Sequence, residues 1–333
     1  MRVLVTGGAG YIGSHTAKAL ARSSYEPVVL DDLSNGHRDA VKWGPFVEGS
    51  LDNADLISRV IEDYDVTAVM HFAASLLVGE SMIQPQKYFW NNVVNTLRLL
   101  SAMLAAGVKH IVFSSSAAVY GMPSQVPIPE DHALGPINPY GETKLMMERA
   151  LHWYGVAYGL RSASLRYFNA AGADAEGELG ENHHPETHLV PLVIQAALGQ
   201  RPVVEIFGTD YPTPDGTAVR DYIHVTDLAE AHVLALRYLV SGGESMALNL
   251  GTGRGYSVRE VVAAVERVNG GRTPPFRDAP RRAGDAAILV AAPGRANGLL
   301  GWQPQHSGLD NIVGTAWHWH SRHPAPTART PDV

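Results

Sequence analysis

The chain has 333 residues, of which 45% are hydrophobic, and a formal net charge of −7. This length is enough for one large domain or two coupled domains with a substantial core. The acidic balance and the lack of a long basic run argue against nucleic-acid and anionic-membrane partners, and the absence of cysteine excludes disulfides, thiolate nucleophiles and cysteine-ligated metals. The apolar stretch at residues 3–5 is far too short for a membrane span, so we expect a cytoplasmic protein that binds neither nucleic acid nor membrane.

Short apolar runs alternate with longer helical stretches up to about residue 170. We predict strands at residues 2–5, 28–30, 68–72, 111–113 and 164–166. Alternation of this kind predicts an α/β fold with a Rossmann-type doubly wound parallel sheet. We therefore predict one domain, built around this sheet, over residues 1–172.

The composition changes after Gly172 and becomes richer in Gly, Pro, His and acidic residues. Strand signals remain at residues 203–207 and 247–249, and helical signals near 226–239 and 257–268. We predict that residues 173–320 form mainly a smaller mixed α/β domain that binds the substrate, while segments near 220–250 return to the sheet. The Pro- and Thr-rich tail at residues 324–333 is predicted to be disordered.

A glycine-rich turn follows the first predicted strand. Gly7, Gly10 and Gly13 allow a tight turn, close approach of backbone N–H groups to a pyrophosphate, and close packing of the next helix on the strand. An ordinary strand-to-helix loop would also tolerate these glycines, but Asp31 ends the second strand 18 positions after Gly13. A carboxylate there can accept from adenosine ribose hydroxyls. Since Asp31 and Asp32 would repel a 2′-phosphate, the sequence favours NAD over NADP and makes residues 1–172 an NAD-binding domain.

Tyr140 and Lys144 stand four residues apart on a predicted helix that Asn138 caps and Pro139 begins. A phenol has a pKa of about 10 and is a poor base at neutral pH, but a neighbouring ammonium favours its phenolate. The spacing alone would also fit a chance pair on a surface helix. Ser116 leaves the end of a parallel strand, where ligands meet such sheets, and its hydroxyl can relay a proton. This context favours a catalytic group of Ser116, Tyr140 and Lys144.

The order of these motifs resembles the extended short-chain dehydrogenase/reductase superfamily. Further stretches make the chain similar to the UDP-galactose 4-epimerase family from residue 1 to about residue 320. These stretches are residues 1–15, 78–81, 165–169, 206–208, 210–212, 215–217, 219–225, 281–282 and 284–285.

The resemblance implies reversible epimerisation at carbon 4 of UDP-glucose and UDP-galactose. It makes Tyr140 the base that takes the 4-hydroxyl proton while the hydride passes to the nicotinamide. It also implies that Ser116 assists the reacting oxygen, and that Lys144 binds the nicotinamide ribose and lowers the pKa of Tyr140. In the family the 4-keto sugar then turns over and receives the same hydride on its other face, so that tightly bound NAD is regenerated.

The resemblance also supplies positions for both ligands. The positions implied for the cofactor are Gly7, Gly10, Tyr11, Ile12, Gly13, Asp31, Asn35, Ser50, Leu51, Phe72, Ala73, Asn92, Ser114, Tyr140, Lys144 and Tyr167. Those implied for the UDP-sugar are Ser116, Tyr140, Asn169, His188, Leu189, Phe207, Arg220, Tyr222, Arg282, Asp285 and Leu289, with the two arginines suited to phosphate oxygens. A homodimer joined through residues 85–106 and 140–158 is implied as well.

The chain departs from the family pattern at several positions. Ser50 stands where an aspartate is common near the adenine, and Leu76 where a lysine often reaches the cofactor ribose, so we leave Leu76 out of the predicted site. Asn95 replaces a glycine, and His188 replaces an asparagine beside the substrate diphosphate. Leu289 matches a position whose size is linked to the fit of a 2-acetamido group, and leucine there predicts epimerisation of UDP-N-acetylglucosamine as well.

Histidines 183, 184 and 188 lie close enough in sequence to suggest a metal. We predict none, because no carboxylate nearby has a recognisable metal-binding spacing and hydride transfer with NAD needs no Lewis acid.

Other functions of the same fold remain open from the sequence. A dehydratase of this type carries an acidic pair directly after the serine or threonine, whereas this chain has Ala117 and Ala118, which cannot transfer protons. A decarboxylase is a further rival on this scaffold. A dehydrogenase that releases NADH would need added NAD for turnover. A non-catalytic sensor or scaffold is disfavoured by the intact group of Ser116, Tyr140 and Lys144.

Overall fold

The computed structural model describes residues 1–282 and 284–323. Its strands are β1 (Arg2–Thr6), β2 (Glu26–Asp31), β3 (Phe46–Glu48), β4 (Ala68–His71), β5 (His110–Ser116), β6 (Arg161–Tyr167), β7 (Asn169–Ala171), β8 (Val204–Phe207), β9 (Val219–Arg220), β10 (Tyr222–His224), β11 (Met246–Leu250), β12 (Tyr256–Ser257), β13 (Phe276–Ala279) and β14 (Ile288–Leu289). The predicted tail at residues 324–333 lies outside the described residues.

The helices connect these strands. They are α1 (Tyr11–Arg22), α2 (Ala54–Asp63), α3 (Val78–Ile83), α4 (Pro85–Tyr88), α5 (Asn95–Ala105), α6 (Pro139–Tyr158), α7 (Leu189–Ala197), α8 (Val225–Val240), α9 (Val258–Val268), α10 (Gly294–Leu300) and α11 (Leu309–Arg322). Short helical turns occupy Arg38–Ala40, Phe89–Val94 and Ala117–Tyr120. Within the described part of the chain, no helix combines the length and apolar character needed to cross a membrane.

A seven-stranded sheet lies at the centre, with the order β11-β6-β5-β4-β1-β2-β3. All of its neighbouring strands pair in parallel. The chain winds outwards from β1 in one direction and from β4 in the other, so the order reverses between these two strands. The predicted fold class is confirmed, and each predicted strand of the first domain lies in this sheet, although β4 ends at His71, one residue before its predicted end.

Both faces of the sheet are buried, which explains why its strands read as continuous apolar runs. In β1 the side chains alternate between the two faces. Leu4 packs with α2, α5 and α6 on one face, whereas Val3 and Val5 pack with α8 on the other.

A third apolar cluster lies among β8, α7, α9 and α11, within residues 173–320. By contrast β11 is an edge strand of the central sheet and α8 packs on its β5 and β6, so the chain between 225 and 250 does return to the sheet. The division into two domains at residue 172 stays a prediction.

Candidate active site

A cavity of about 1230 Å³ lies where the strand order reverses, at the carboxyl ends of β1, β2, β4 and β5. Ligands of doubly wound sheets bind at such a reversal. The predicted cofactor and substrate positions that line it are Gly7, Gly10, Tyr11, Ile12, Gly13, Asp31, Asn35, Ser50, Leu51, Phe72, Ala73, Ser114, Ser116, Tyr140, Lys144, Tyr167, Asn169 and His188. A volume of this size suits a dinucleotide together with a second ligand.

At Gly7 and Gly13 the turn has no room for a side chain, because backbone atoms lie where a Cβ atom would stand. Gly7 has a φ of +72°, and a Cβ atom there would lie 2.5 Å from the backbone nitrogen of Ala73. A Cβ atom on Gly13 would lie 2.2 Å from the carbonyl oxygen of Gly7. Gly10 caps α1 without any side-chain hydrogen bond. No capping side chain therefore covers the backbone N–H groups of the first turn of α1, which lies at the cavity. This cradle fits the pyrophosphate of NAD.

Asp31 has a structural role that the sequence does not reveal. One carboxylate oxygen accepts from the backbone N–H of Ala9 in the glycine turn, and the other accepts from that of Leu33, both at 2.9 Å. Burial raises the pKa of Asp31 above its usual value, and the two backbone N–H groups oppose this rise. The carboxylate therefore holds the glycine turn and also lines the cavity.

Tyr140 lies in the first turn of α6, which begins at Pro139 because Asn138 caps it by accepting from the N–H of Gly141 at 2.8 Å. Burial raises the pKa of the Tyr140 phenol, and a hydrogen bond with Ser116 opposes that rise. Ser116 ends β5. A hydroxyl and a phenol thus line the same cavity, where both can act on one substrate oxygen.

Lys144 is buried one turn further along α6. Its Nζ donates to the backbone oxygen of Ser114 at 2.8 Å and lies 5.7 Å from the centre of the Tyr140 ring. Burial lowers the pKa of Lys144 to about 7. Of the two groups expected to act on Tyr140, Ser116 lowers its pKa, whereas Lys144 is hydrogen-bonded to the end of β5.

We expect Lys144→Met to stabilise the NAD-free protein at pH 7, by on the order of 2 kcal/mol. The lowered pKa means that the unfolded chain holds a proton that the folded chain loses above about pH 7, so folding stability rises with pH from 7 towards 10. Methionine removes the free-energy cost of burying the lysine. It also leaves the backbone oxygen of Ser114 without the Lys144 donor, and this loss reduces the gain in stability. Denaturant unfolding at pH 7 and pH 10 measures the gain, which should shrink at the higher pH.

Lys109→Met is a matched control, because Lys109 also donates to a carbonyl oxygen, that of Tyr158, but is exposed. The prediction is wrong if both variants change stability equally at both pH values.

Other predicted substrate residues do not line the cavity. They are Leu189, Phe207, Arg220, Tyr222, Arg282, Asp285 and Leu289. Arg220 lies 3.8 Å from Asp285, and the Arg282 guanidinium lies 3.8 Å from the centre of the Phe207 ring. Parallel pairing of β9 with β14 sets Leu289 beside Arg220. These residues form a second group, which pairing of Tyr222 with Asn169 connects to the cavity wall.

Among the positions considered for the cofactor, two more are placed differently from the sequence prediction. Asn92 does not line the cavity: its side-chain oxygen accepts from the N–H of Ser75 at 2.8 Å, and its nitrogen donates to Thr143 at 3.1 Å. It therefore fixes Ser75, which does line the cavity. Leu76, which the prediction left out, also lines the cavity.

The loop of the three histidines also contains two acidic residues, which the sequence prediction of no metal did not place beside them. The structure brings two carboxylates, Glu181 and Glu186, to His183 and His188. Although burial lowers the pKa of His188, the carboxylate of Glu181, 2.6 Å away, raises it to about 10. Glu181 and His183 both line the cavity but were not among the predicted site residues. No regular spacing in the sequence indicates that an irregular loop folds back on itself.

The model of a family described as "NAD dependent epimerase/dehydratase family" matches residues 3–251. A UDP-glucose 4-epimerase of Rhizobium meliloti (strain 1021) is 54% identical over 96% of this chain and 97% of its own. The structure of a UDP-glucose 4-epimerase from Brucella ovis in complex with NAD matches with a TM-score of 0.93 and 54% identity, over 96% of this chain and 98% of that one. The corresponding enzyme from Bifidobacterium longum, in complex with NAD+ and UDP, matches with a TM-score of 0.92 and 38% identity, over 97% and 99%. This chain therefore belongs to the NAD-dependent epimerase/dehydratase family.

Proposed function

We propose that the protein interconverts UDP-glucose and UDP-galactose by inverting carbon 4, with NAD held throughout the cycle. The observation that carries this proposal is that the Tyr140 phenol and the Ser116 hydroxyl that lowers its pKa line one cavity with the glycine turn. The similarity to UDP-glucose 4-epimerases over nearly the whole chain supports the same substrate.

In this reaction Tyr140 takes the proton from the 4-hydroxyl of the sugar and later returns it. Ser116 donates to the phenolate, which makes the charged form of a buried phenol accessible. Lys144 holds the carbonyl oxygen of Ser114 and so fixes the end of β5 that carries Ser116. When bound, NAD would supply the acceptor, and then the donor, of the hydride exchanged at carbon 4. We assign the bare first turn of α1 and Asp31 to holding NAD.

The diphosphate and uracil need firm binding, because the sugar must turn while it stays in the cavity. We assign this binding to the second group, in which Arg220 and Arg282 offer charged forks for phosphate oxygens. His188 on the cavity wall adds a cationic donor. A dehydratase is not favoured, because Ala117 and Ala118 form the turn directly after Ser116 and offer no group for proton transfer.

The decisive experiment is incubation of the purified protein with UDP-galactose and no added cofactor. Appearance of UDP-glucose supports the proposal, and heat denaturation of the same sample should release about one NAD per chain. A preparation that contains NAD but forms no UDP-glucose would contradict it. NADH accumulating in step with turnover would instead indicate a dehydrogenase.

We further propose that the protein acts as a homodimer joined through residues 85–106 and 140–158. Large apolar side chains are exposed on these segments: Trp90 is 54%, Trp153 65% and Val156 66% exposed. The turn that carries Trp90 packs against α6, which carries the other two, and exposed apolar side chains on neighbouring elements are typical of an interface. Light scattering checks the expected mass of two chains, and a single-chain mass at micromolar concentration would contradict it.

Leu289→Tyr is expected to remove epimerisation of UDP-N-acetylglucosamine while UDP-galactose turnover is largely kept. Leu289 packs against the same apolar cluster as Phe168, which lines the cavity, so a larger ring at position 289 is expected to push that wall inwards. A clash of this kind penalises only the sugar that carries the 2-acetamido group. Parallel assays of both substrates measure the effect. Equal loss of both activities, or no acetamido activity in the wild type, would refute this role of Leu289 in limiting the size of the sugar.

A further inference from the structure

Four metal-ligating side chains meet in the loop that leads into α7. His188 Nδ1 lies 2.6 Å from Glu181 Oε1 and 3.3 Å from Glu186 Oε1. His183 Nδ1 lies 3.2 Å from Glu181 Oε1 and 3.8 Å from Glu186 Oε2. One ligand atom from each of the four residues lies within 4.8 Å of the other three.

The separations suit one small cation between the four groups. Zinc bonds to imidazole nitrogen and carboxylate oxygen at about 2.0–2.2 Å, so tetrahedral ligand atoms lie roughly 3.3–3.5 Å apart. Two of the distances, 3.2 Å from His183 Nδ1 to Glu181 Oε1 and 3.8 Å from His183 Nδ1 to Glu186 Oε2, lie around this value. Only the 2.6 Å separation of His188 from Glu181 has to widen.

Hydrogen bonding within the cluster leaves His188 incompletely satisfied. Its Nδ1 is buried and makes no hydrogen bond of acceptable geometry, although a carboxylate oxygen lies only 2.6 Å away. The nitrogen therefore points into the cluster, but its N–H does not point straight at either carboxylate oxygen. A nitrogen in this position is suited to a shared ion.

The ligands are also held from behind, as metal ligands usually are. Glu186 Oε1 accepts from the backbone N–H groups of Thr187 at 2.7 Å and His188 at 2.8 Å, so its other oxygen stays free to coordinate. The backbone oxygen of Glu181 accepts from the indole N–H of Trp319 at 3.1 Å. These bonds orient the carboxylate of Glu186 and fix the backbone of Glu181.

A second acidic group in the described part of the chain provides a contrast. Asp174, Glu176 and Glu178 also converge, but Lys18 Nζ donates to all three at 2.8, 2.6 and 2.6 Å. That group already contains its cation. The cluster of Glu181, His183, Glu186 and His188 has only imidazoles, which can exchange a proton for a metal ion.

We propose that Glu181, His183, Glu186 and His188 bind one Zn²⁺ ion. Two imidazole nitrogens with two carboxylate oxygens form a donor set that zinc accepts in tetrahedral sites. Glu181, His183 and His188 line the large cavity, so the ion lies on its wall and adds positive charge there. His188 is also assigned above to the substrate diphosphate, but none of the four ligands belongs to the catalytic group of Ser116, Tyr140 and Lys144, so binding of Zn²⁺ is measured separately from turnover.

The test uses the full-length protein without a histidine tag, stripped with EDTA and dialysed. Titration with Zn²⁺ alone, followed calorimetrically and by elemental analysis after gel filtration, should give one ion per chain. His183→Ala should weaken binding at least ~100-fold, since loss of a ligand costs no less than loss of the groups that orient it. His184→Ala is the matched control, because His184 lies in the same loop, is exposed and is outside the cluster; its binding should equal that of the wild type.

Co²⁺ replaces Zn²⁺ as a spectroscopic probe in the wild type. This measurement needs no variant, so it still tests the site if a variant fails to fold. Intense visible absorption typical of tetrahedral cobalt supports the site, and thermal unfolding should shift upwards with Zn²⁺. Absence of a stoichiometric ion in the wild type overturns the proposal and leaves the cluster as a proton-holding ion pair. Equal weakening by His183→Ala and His184→Ala would also overturn it, because it would indicate adventitious surface binding.

Discussion

Tyr140→Phe is expected to lower turnover at least ~100-fold while the fold and the bound NAD are retained. The phenolic hydroxyl is the only group that the substitution removes, and it is the group in the cavity whose pKa Ser116 lowers. Phenylalanine keeps the ring and its packing at the start of α6, so structural damage should be small. Initial rates of UDP-galactose conversion, with NAD content measured on the same preparation, test this prediction.

Tyr158→Phe is the matched control, because Tyr158 ends the same helix and is exposed. It should leave turnover per bound NAD unchanged. Turnover of Tyr140→Phe near that of the wild type would remove Tyr140 from the role of base.

Gly13→Ala is expected to cost at least ~3 kcal/mol of folding stability and to abolish stable NAD binding. The added methyl carbon would lie 2.2 Å from the oxygen of Gly7 and 2.9 Å from the Cα atom of Gly8, and both are backbone atoms. The loop can relieve this contact only by moving away from α1, which removes the cradle for the pyrophosphate. Denaturant unfolding and NAD content measure the two effects.

Gly10→Ala separates packing from cofactor contact. The nearest protein atom to its added methyl carbon would be the oxygen of Gly7, at 3.3 Å, so stability should fall only slightly. Gly10 lines the cavity, however, and the methyl group should still hinder NAD. If Gly13→Ala proves as stable as Gly10→Ala, the proposed close packing of loop and helix is wrong.

The central sheet could be predicted because its signals are local. Each predicted strand of the first domain is an apolar run that needs burial on both faces, and the glycine turn and Asp31 stand at strand ends by sequence alone. The short strand β3 was not predicted, because three residues are too few to reveal the alternation of apolar and polar side chains in a strand. The start of α6 was predictable from its cap and from Pro139 for the same local reason.

Contacts between distant loops could not be predicted in this way. Asn92 holds Ser75, 17 positions away, through hydrogen bonds that leave no pattern in the chain. The meeting of Glu181 with His188 depends on how an irregular loop turns, and such loops follow neither a helical nor a strand period. The pairing of β9 with β14, which sets Leu289 beside Arg220, joins segments about 70 residues apart.

The two hydrogen bonds of Asp31 have a consequence for coenzyme engineering. Converting such enzymes to NADP usually begins by replacing the acidic residue at the end of the second strand. Here that replacement would also release the N–H groups of Ala9 and Leu33, which the carboxylate holds at 2.9 Å each. A redesign would therefore need a new acceptor for these amides before any gain in phosphate recognition could appear, and the first generation of variants would lose both coenzymes together.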